Sequence, residues 1–233
     1  MIKIGGIQKT TLIDYPGRVA STVFLSGCNF RCPFCYSSEL VLPEKIKDHP
    51  QFSEDYFFDF LKERVGLLEG VVVCGGEPTI NKDLPEFIKK IKDMGFLVKL
   101  DTNGSNPDML EYLIKEGLLD YVAMDIKNSK EKYVQTVKGE VDLKSIDRSV
   151  NLLKEGKVDY EFRTTIVPGV HDKKDILSIA KWISPAKRYF LQNFKAEKTI
   201  DSSFENVKPY LNSFISEIRE EIAPYFRECY FRD

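Results

Sequence analysis

The pattern that most constrains this chain is a strict alternation of short apolar runs with amphipathic helical segments. Val19–Leu25 reads as a buried strand, and Ser53 as the N-cap of a helix over Glu54–Val65 with acids in its first turn. Val71-Val72-Val73-Cys74 is a continuous apolar strand stopped by Gly75-Gly76. Leu84–Met94 carries Leu84, Phe87, Ile88 and Ile91 on one helical face. Phe96–Leu100 (strand), Met109–Lys115 (helix), Tyr121–Ile126 (strand) and Leu143–Lys154 (helix) continue the alternation, and Gly117 and Gly156 close the two helices. Tyr160–Val167 (strand), Asp172–Ile183 (helix), Tyr189–Leu191 (strand) and a last helix over Val207–Glu221 complete it. Six strand–helix units in this order predict parallel strands joined by right-handed crossovers. A hairpin-like stretch (Ile2–Ile7, Thr11–Ile13) precedes them, and Leu42–Phe52, with two prolines, reads as a loop. The whole is expected to form one domain, with the core at about 19–194 and an extension at about 195–233.

The second constraint is Cys28-Asn29-Phe30-Arg31-Cys32-Pro33-Phe34-Cys35, three cysteines within eight residues. Structural zinc uses four ligands, usually as two Cys-x2-4-Cys pairs. Here a Cys-x3-Cys-x2-Cys loop offers three and no nearby fourth. Three thiolates suit a [4Fe–4S] cube with one iron free of protein ligands, and an open iron means chemistry. Left unligated, three clustered thiols would invite oxidation. The other two cysteines are isolated: Cys74 in an apolar strand reads as a buried small hydrophobe, and Cys229 as structural. An odd total of five, mostly on one loop, fits a reducing cytoplasm better than a disulfide framework.

In βα folds of this kind, functional residues follow the C-terminal ends of the strands. The six predicted strands lead, in order, to the cysteine loop, to Gly75-Gly76-Glu77-Pro78, to Asp101-Thr102-Asn103-Gly104, to Met124-Asp125-Ile126-Lys127, to Val167-Pro168-Gly169 after Arg163, and to Gln192-Asn193. Each has a bland reading. Gly-Gly-Glu-Pro and Asp-Thr-Asn-Gly are good turns, Asp125 and Lys127 could simply pair on one strand face, and Arg163 could be a rim charge. His49 and His171 read as solvated or capping residues. The agreement of all six positions on one rim argues for a site. Lys+Arg of 34 against Asp+Glu of 36 leaves no basic stripe for nucleic acid, and no apolar run is long enough to span a membrane.

The triplet with Phe34 as Cys-x3-Cys-x-aromatic-Cys resembles the signature of the radical S-adenosylmethionine (SAM) superfamily, and Gly75-Gly76-Glu77-Pro78 resembles its second motif. The resemblance implies an α/β fold, a (β/α)6 partial TIM-like barrel with an N-terminal hairpin and a C-terminal helical extension. It implies one [4Fe–4S] cluster on Cys28, Cys32 and Cys35, with SAM on the free iron. Within the activators of glycyl-radical enzymes, Ile4–Lys9 and Leu12–Gly17 resemble segments of anaerobic ribonucleoside-triphosphate reductase activating proteins, and Leu100–Gly104, Met124–Lys127 and Val167–Gly169 resemble segments of pyruvate formate-lyase activating enzymes. Those relatives commonly have a histidine where this chain has Tyr36. The resemblance places Phe34, Tyr36, Gly75, Gly76, Glu77, Asp101, Thr102, Asn103, Asp125, Lys127 and Arg163 around SAM. It also puts a monovalent cation near Asp101, Thr102, Met124 and Asp125. It implies reductive cleavage of SAM to a 5′-deoxyadenosyl radical that takes hydrogen from a glycine of a partner enzyme. A low-potential donor such as flavodoxin or ferredoxin would supply the electron. Two alternatives stay open: a radical SAM enzyme acting on a small molecule, and a non-catalytic iron–sulfur or zinc module.

Overall fold

The computed structural model describes residues 2–139 and 141–232. Eight strands form one sheet whose spatial order is the chain order. Strand β1 (Ile4–Thr11) pairs antiparallel with β2 (Ala20–Leu25). From β2 onward every pairing is parallel, through β3 (Gly70–Gly75), β4 (Leu97–Thr102), β5 (Tyr121–Asp125), β6 (Asp159–Ile166), β7 (Ala186–Asn193) and β8 (Phe226–Arg232). The sheet stays open as a partial barrel, because its two ends, β1 and β8, are not paired with each other.

Nine α-helices are present among the described residues: α1 (Ser38–Val41), α2 (Pro43–Asp48), α3 (Glu54–Lys62), α4 (Leu84–Asp93), α5 (Pro107–Lys115), α6 (Tyr133–Val137), α7 (Leu143–Lys154), α8 (Lys173–Ile183) and α9 (Asn212–Ile222); α3 to α9 contribute residues to the large core and α1 and α2 do not. Sequence signals set their starts. Ser53 accepts a hydrogen bond from the Tyr56 N–H at the head of α3, and Asp172 and Asp175 form a capping box on α8. In α4, Leu84, Phe87, Ile88 and Ile91 are all buried as the spacing predicts. Such burial contributes roughly 1.5–3 kcal/mol per side chain.

The pleat splits the strands into two faces. Val71 and Val73 join the large core between sheet and helices, while Val72 joins a small inner core with Tyr15, Ala20 and Tyr121, against which Cys74 packs. The same period of two sends Val98, Leu100, Val122 and Met124 outward and leaves Lys99, Asp101 and Asp125 on the inner face.

Three expectations shift. The N-terminal hairpin is wider than the sequence suggests: β1 runs unbroken to Thr11, and its antiparallel partner is β2 itself. The segment 42–52 contains α2, entered through Pro43 at its first position. The C-terminal extension carries a strand as well as a helix. Its helix starts at Asn212, because Pro209 steers Lys208 away from helical backbone. The chain then adds β8, whose Tyr230 stacks on Phe190 with ring centroids 5.1 Å apart.

Candidate active site

The loop between β2 and α1 is wired into place on three sides. Within it, the Arg31 guanidinium donates to the carbonyls of Cys28 (2.5 Å) and Phe30 (2.8 Å), and the Phe30 N–H points at the Cys28 sulfur at 3.3 Å. Toward β4, Asn103 donates to Asn29 at 3.0 Å, and Asn29 donates to Ser105 at 2.9 Å. Toward the C-terminal segment, the N–H groups of Ile200 and Asp201 donate to the carbonyls of Cys35 and Pro33. Tyr36 stacks on Phe194 with ring centroids 5.8 Å apart, and its hydroxyl accepts from the Lys195 N–H at 2.7 Å.

Cys28, Cys32 and Cys35 line one pocket together with Phe34, Tyr36, Gly75, Gly76, Asp101, Thr102, Asn103, Asp125, Lys127 and Arg163. Four of the six predicted strand ends, with Arg163 of the fifth strand, thus meet in one pocket, while Val167, Pro168, Gly169, Gln192 and Asn193 do not line it. All five cysteines are free thiols. Burial pushes the Cys28 thiol up to about 12, helped by Glu77 nearby, and the Cys32 thiol up to about 11. A bound cationic metal group reverses that preference, because coordination deprotonates a thiol outright.

The two glycines are required by close approach. Gly75 has φ +127°, and a Cβ on it would fall 2.2 Å from the Leu25 carbonyl oxygen. A Cβ on Gly76 would fall 2.0 Å from the Gly27 carbonyl oxygen and 3.2 Å from Cys28 Cβ. Only bare backbone brings the edge of β3 against the cysteine loop.

Glu77 lies outside that pocket's lining. It is fully buried and braces the rim: Oε1 accepts from the Thr79 N–H (3.0 Å), the Thr79 hydroxyl (2.5 Å) and the Thr102 hydroxyl (2.7 Å), and Oε2 from the Asn103 N–H (2.6 Å). Burial raises its pKa against the pull of those four donors. With four donors on its two oxygens, Glu77 braces the turn and is not part of the pocket wall.

Across the inner face runs a chain of charges. Lys99 pairs with Asp101; Arg163 NH1 reaches Asp101 Oδ2 at 2.8 Å and Arg163 Nε reaches Asp125 Oδ1 at 2.8 Å; Lys127 Nζ reaches Asp125 Oδ2 at 3.0 Å. Asp125 and Arg163 are register partners on β5 and β6. Burial would raise both aspartates, but Arg163, with Lys99 at Asp101 and Lys127 at Asp125, outweighs it and holds them below the usual carboxylate range. Three cations on two carboxylates give this cluster one net positive charge; Arg163 and Lys127 line the pocket with both aspartates, and Lys99 lies behind Asp101. The oxygens expected to hold a monovalent cation are thus already engaged by cationic side chains. Thr102 is committed to Glu77 and to the Gly104 N–H, and Met124 is buried in the outer core.

The sequence reading missed several participants. Cys74 is half-buried, packs against the small inner core and also lines the pocket, because it shares the inner face with Val72. Thr165 lines the pocket two residues beyond Arg163. His171 is buried, not capping: its Nδ1 accepts from the Val167 N–H at 3.0 Å and its Nε2 donates to the Lys127 carbonyl at 2.8 Å. That fixes a neutral tautomer and anchors the backbone of Lys127. Period-two alternation could have found Cys74 and Thr165; nothing local could have found His171.

The model of the radical SAM superfamily matches residues 22–183. The chain belongs to the radical SAM superfamily. Membership implies a [4Fe–4S] cluster and SAM as its cofactors, and the site fits them: three thiols on one loop, no fourth cysteine on it, and bare backbone beside the first ligand. No three His, Cys, Asp or Glu side chains among the described residues are gathered for a single metal ion. A cubane asks for a wider spacing, since each thiolate takes a different iron.

The radical SAM chain is 37% identical over 211 residues to a Methanocaldococcus jannaschii protein named "Putative glycyl-radical enzyme activating enzyme", covering 88% of this chain and 85% of that one. It is 32% identical over 156 residues to 7,8-dihydro-6-hydroxymethylpterin dimethyltransferase of the same organism, covering 63% of this chain and 30% of that one. Among solved structures, Streptococcus suis SuiB bound to precursor peptide SuiA matches with a TM-score of 0.68 at 12% identity, over 90% of this chain and 48% of SuiB. The chain therefore spans about half of SuiB, a likeness of fold alone. No helix among the described residues is long and apolar enough to cross a membrane.

Proposed function

We propose that this radical SAM enzyme generates a glycyl radical on a partner protein, an anaerobic ribonucleotide reductase being the first candidate. The observation that carries this reading is the relation to the glycyl-radical activator, which extends over most of both chains. Cys28, Cys32 and Cys35 would hold three irons of the cluster. Bound together, cluster and SAM supply a 5′-deoxyadenosyl radical by one-electron reductive cleavage.

The chain's own residues would bind and orient. The backbone of Gly75 and Gly76, which line the pocket beside Cys28, would meet the methionine ammonium. The surplus positive charge of the Lys99–Asp101–Arg163–Asp125–Lys127 chain suits the methionine carboxylate, and the polar groups of Asp125, Thr102 and Asn103 stand on the same wall for the ribose. Phe34 and Tyr36, on either side of Cys35 in the chain, would offer adenine a ring face or a backbone contact. A low-potential flavodoxin or ferredoxin would deliver the electron. A monovalent cation near Asp101, Thr102, Met124 and Asp125 would have to compete with Lys99, Arg163 and Lys127 for the two carboxylates.

The match to the pterin dimethyltransferase favours one alternative, a small-molecule substrate on the same barrel. The deciding experiment mixes anaerobically reconstituted enzyme, dithionite and SAM with a candidate reductase. A glycyl radical signal in electron paramagnetic resonance, with 5′-deoxyadenosine formed in step, supports the proposal. Fast turnover of a pterin or purine-like compound, with no protein radical, replaces it with the alternative.

A further inference from the structure

His171 touches three separate parts of the site, and nothing in the proposed chemistry uses it. It lies in the turn between β6 and α8 and is 2% exposed. Its backbone is held at both polar groups. The N–H donates to the Val167 carbonyl at 2.9 Å, and the carbonyl accepts from the Tyr210 hydroxyl at 2.7 Å. The ring is thus fixed in place by its own main chain.

On one side of that ring, Nδ1 accepts from the Val167 N–H at 3.0 Å. On another, Phe34 of the cysteine loop lies edge-on with ring centroids 6.2 Å apart. On the third, Nε2 donates to the Lys127 carbonyl at 2.8 Å.

The contact with Lys127 falls where the sheet releases the chain. Ile126 is still bonded to β6 at both of its backbone groups: its N–H donates to the Arg163 carbonyl at 2.8 Å, and its carbonyl accepts from the Thr164 hydroxyl at 2.8 Å. Lys127 is the next residue, and among the described residues no backbone N–H outside the regular elements reaches its carbonyl. The imidazole stands in for the missing strand partner. The side chain of the same residue lines the pocket, where its ammonium meets Asp125 at 3.0 Å. A charge binds an anionic group best when its position is fixed beforehand, because less freedom is then lost on binding.

We propose that His171 is a positioning residue for SAM binding: by holding the Lys127 carbonyl between the end of β6 and Phe34, it fixes the Lys127 ammonium where the SAM carboxylate would meet it. The proposal rests on SAM as the cofactor that membership implies and not on the glycyl-radical reading.

The two ring nitrogens are tested one at a time. His171→Gln keeps a nitrogen donor as far along the side chain as Nε2, and His171→Asn keeps an acceptor at the place of Nδ1 but cannot reach Lys127. Both are made in the full chain and reconstituted anaerobically. SAM is then titrated onto the oxidised cluster by calorimetry with no reductant present, so turnover takes no part. Both variants are expected to fold and to hold the iron and sulfide of wild type. His171→Asn should raise the Kd for SAM about tenfold, the loss of one hydrogen bond, and His171→Gln should recover most of that loss. A wild-type Kd in His171→Asn, or equally raised values in both variants, overturns the proposal. Should one variant not fold, the other decides alone: a raised Kd in His171→Asn or a wild-type Kd in His171→Gln supports the proposal, and the opposite result overturns it. Failure of both to fold or to load a cluster also overturns it, since the imidazole would then serve the scaffold and not the lysine. None of these results touches the glycyl-radical reading, because no partner protein enters the measurement.

Discussion

The two ends of the barrel are both lined with charges, yet they are built differently. At the end where the strands begin, a second pocket is lined by Tyr15, Arg18, Asp120, Tyr121, Asp159, Glu161, Arg188 and Glu228. There every carboxylate has its base. Arg18 meets Glu69, Lys92 meets Asp120, Lys187 and Arg188 meet Asp159, Arg188 also meets Glu228, and Arg232 meets Glu161. Five cations balance five carboxylates and nothing is left over for a ligand. At the end where the strands finish, three cations meet two carboxylates, and the three free thiols of the cysteine loop stand beside them. An imbalance of charge and of donors, not the presence of charge, separates a site from a scaffold.

The comparison can be broken in several places. The largest effect is expected from Cys28→Ala, which should abolish iron and sulfide uptake and all SAM cleavage while the metal-free chain still folds. Next is Arg163→Met, which takes one of two cationic partners from each of the half-buried Asp101 and Asp125. It should lower stability in denaturant titration by about 1.5–3 kcal/mol and weaken SAM binding. Glu77→Gln replaces an acceptor of four hydrogen bonds by a group that must also donate, and should cost about 1–3 kcal/mol. His171 sets a pH dependence. Burial lowers its pKa below the ordinary 6.5, so the unfolded chain takes up the proton first. Stability should be full above pH 6.5 and fall as the pH drops below it, by at most about 1.4 kcal/mol per pH unit; His171→Gln should flatten that slope. Asp101 and Asp125 act in a lower window, since their ordinary value is 3.8 and their folded values lie below it. At the balanced end, Arg188→Met removes a partly exposed pair and should cost under about 1 kcal/mol without touching SAM binding. Equal losses for Arg188→Met and Arg163→Met would erase the distinction drawn between the two ends.

What the sequence revealed was whatever is local. The Cys-x3-Cys-x2-Cys spacing, the Gly75-Gly76 stop after an apolar strand and the capped amphipathic helices each carry their physics within a few residues, and each stands where the pattern put it. The charge chain was only half visible. Asp125 and Lys127 are two apart on one strand, but Arg163 joins Asp101 to Asp125 only through the register of β4, β5 and β6. Glu77 was legible as important and open as to role, because its four donors come from two different loops. Tyr36 was picked out for its place beside the third cysteine, yet its stacking on Phe194 and its bond to Lys195 follow from a segment nearly 160 residues away. Strand β8 was missed because Arg227, Glu228 and Arg232 mask an aromatic strand that pairs at the open edge of the sheet.

The most direct measurement is iron and acid-labile sulfide per chain after anaerobic reconstitution, with the electron paramagnetic resonance of the reduced protein recorded before and after SAM is added. The account predicts about four irons and about four sulfides per chain, and a signal that changes when SAM occupies the open iron. A chain that takes up one zinc, or iron without sulfide, or whose reduced signal is indifferent to SAM, contradicts it.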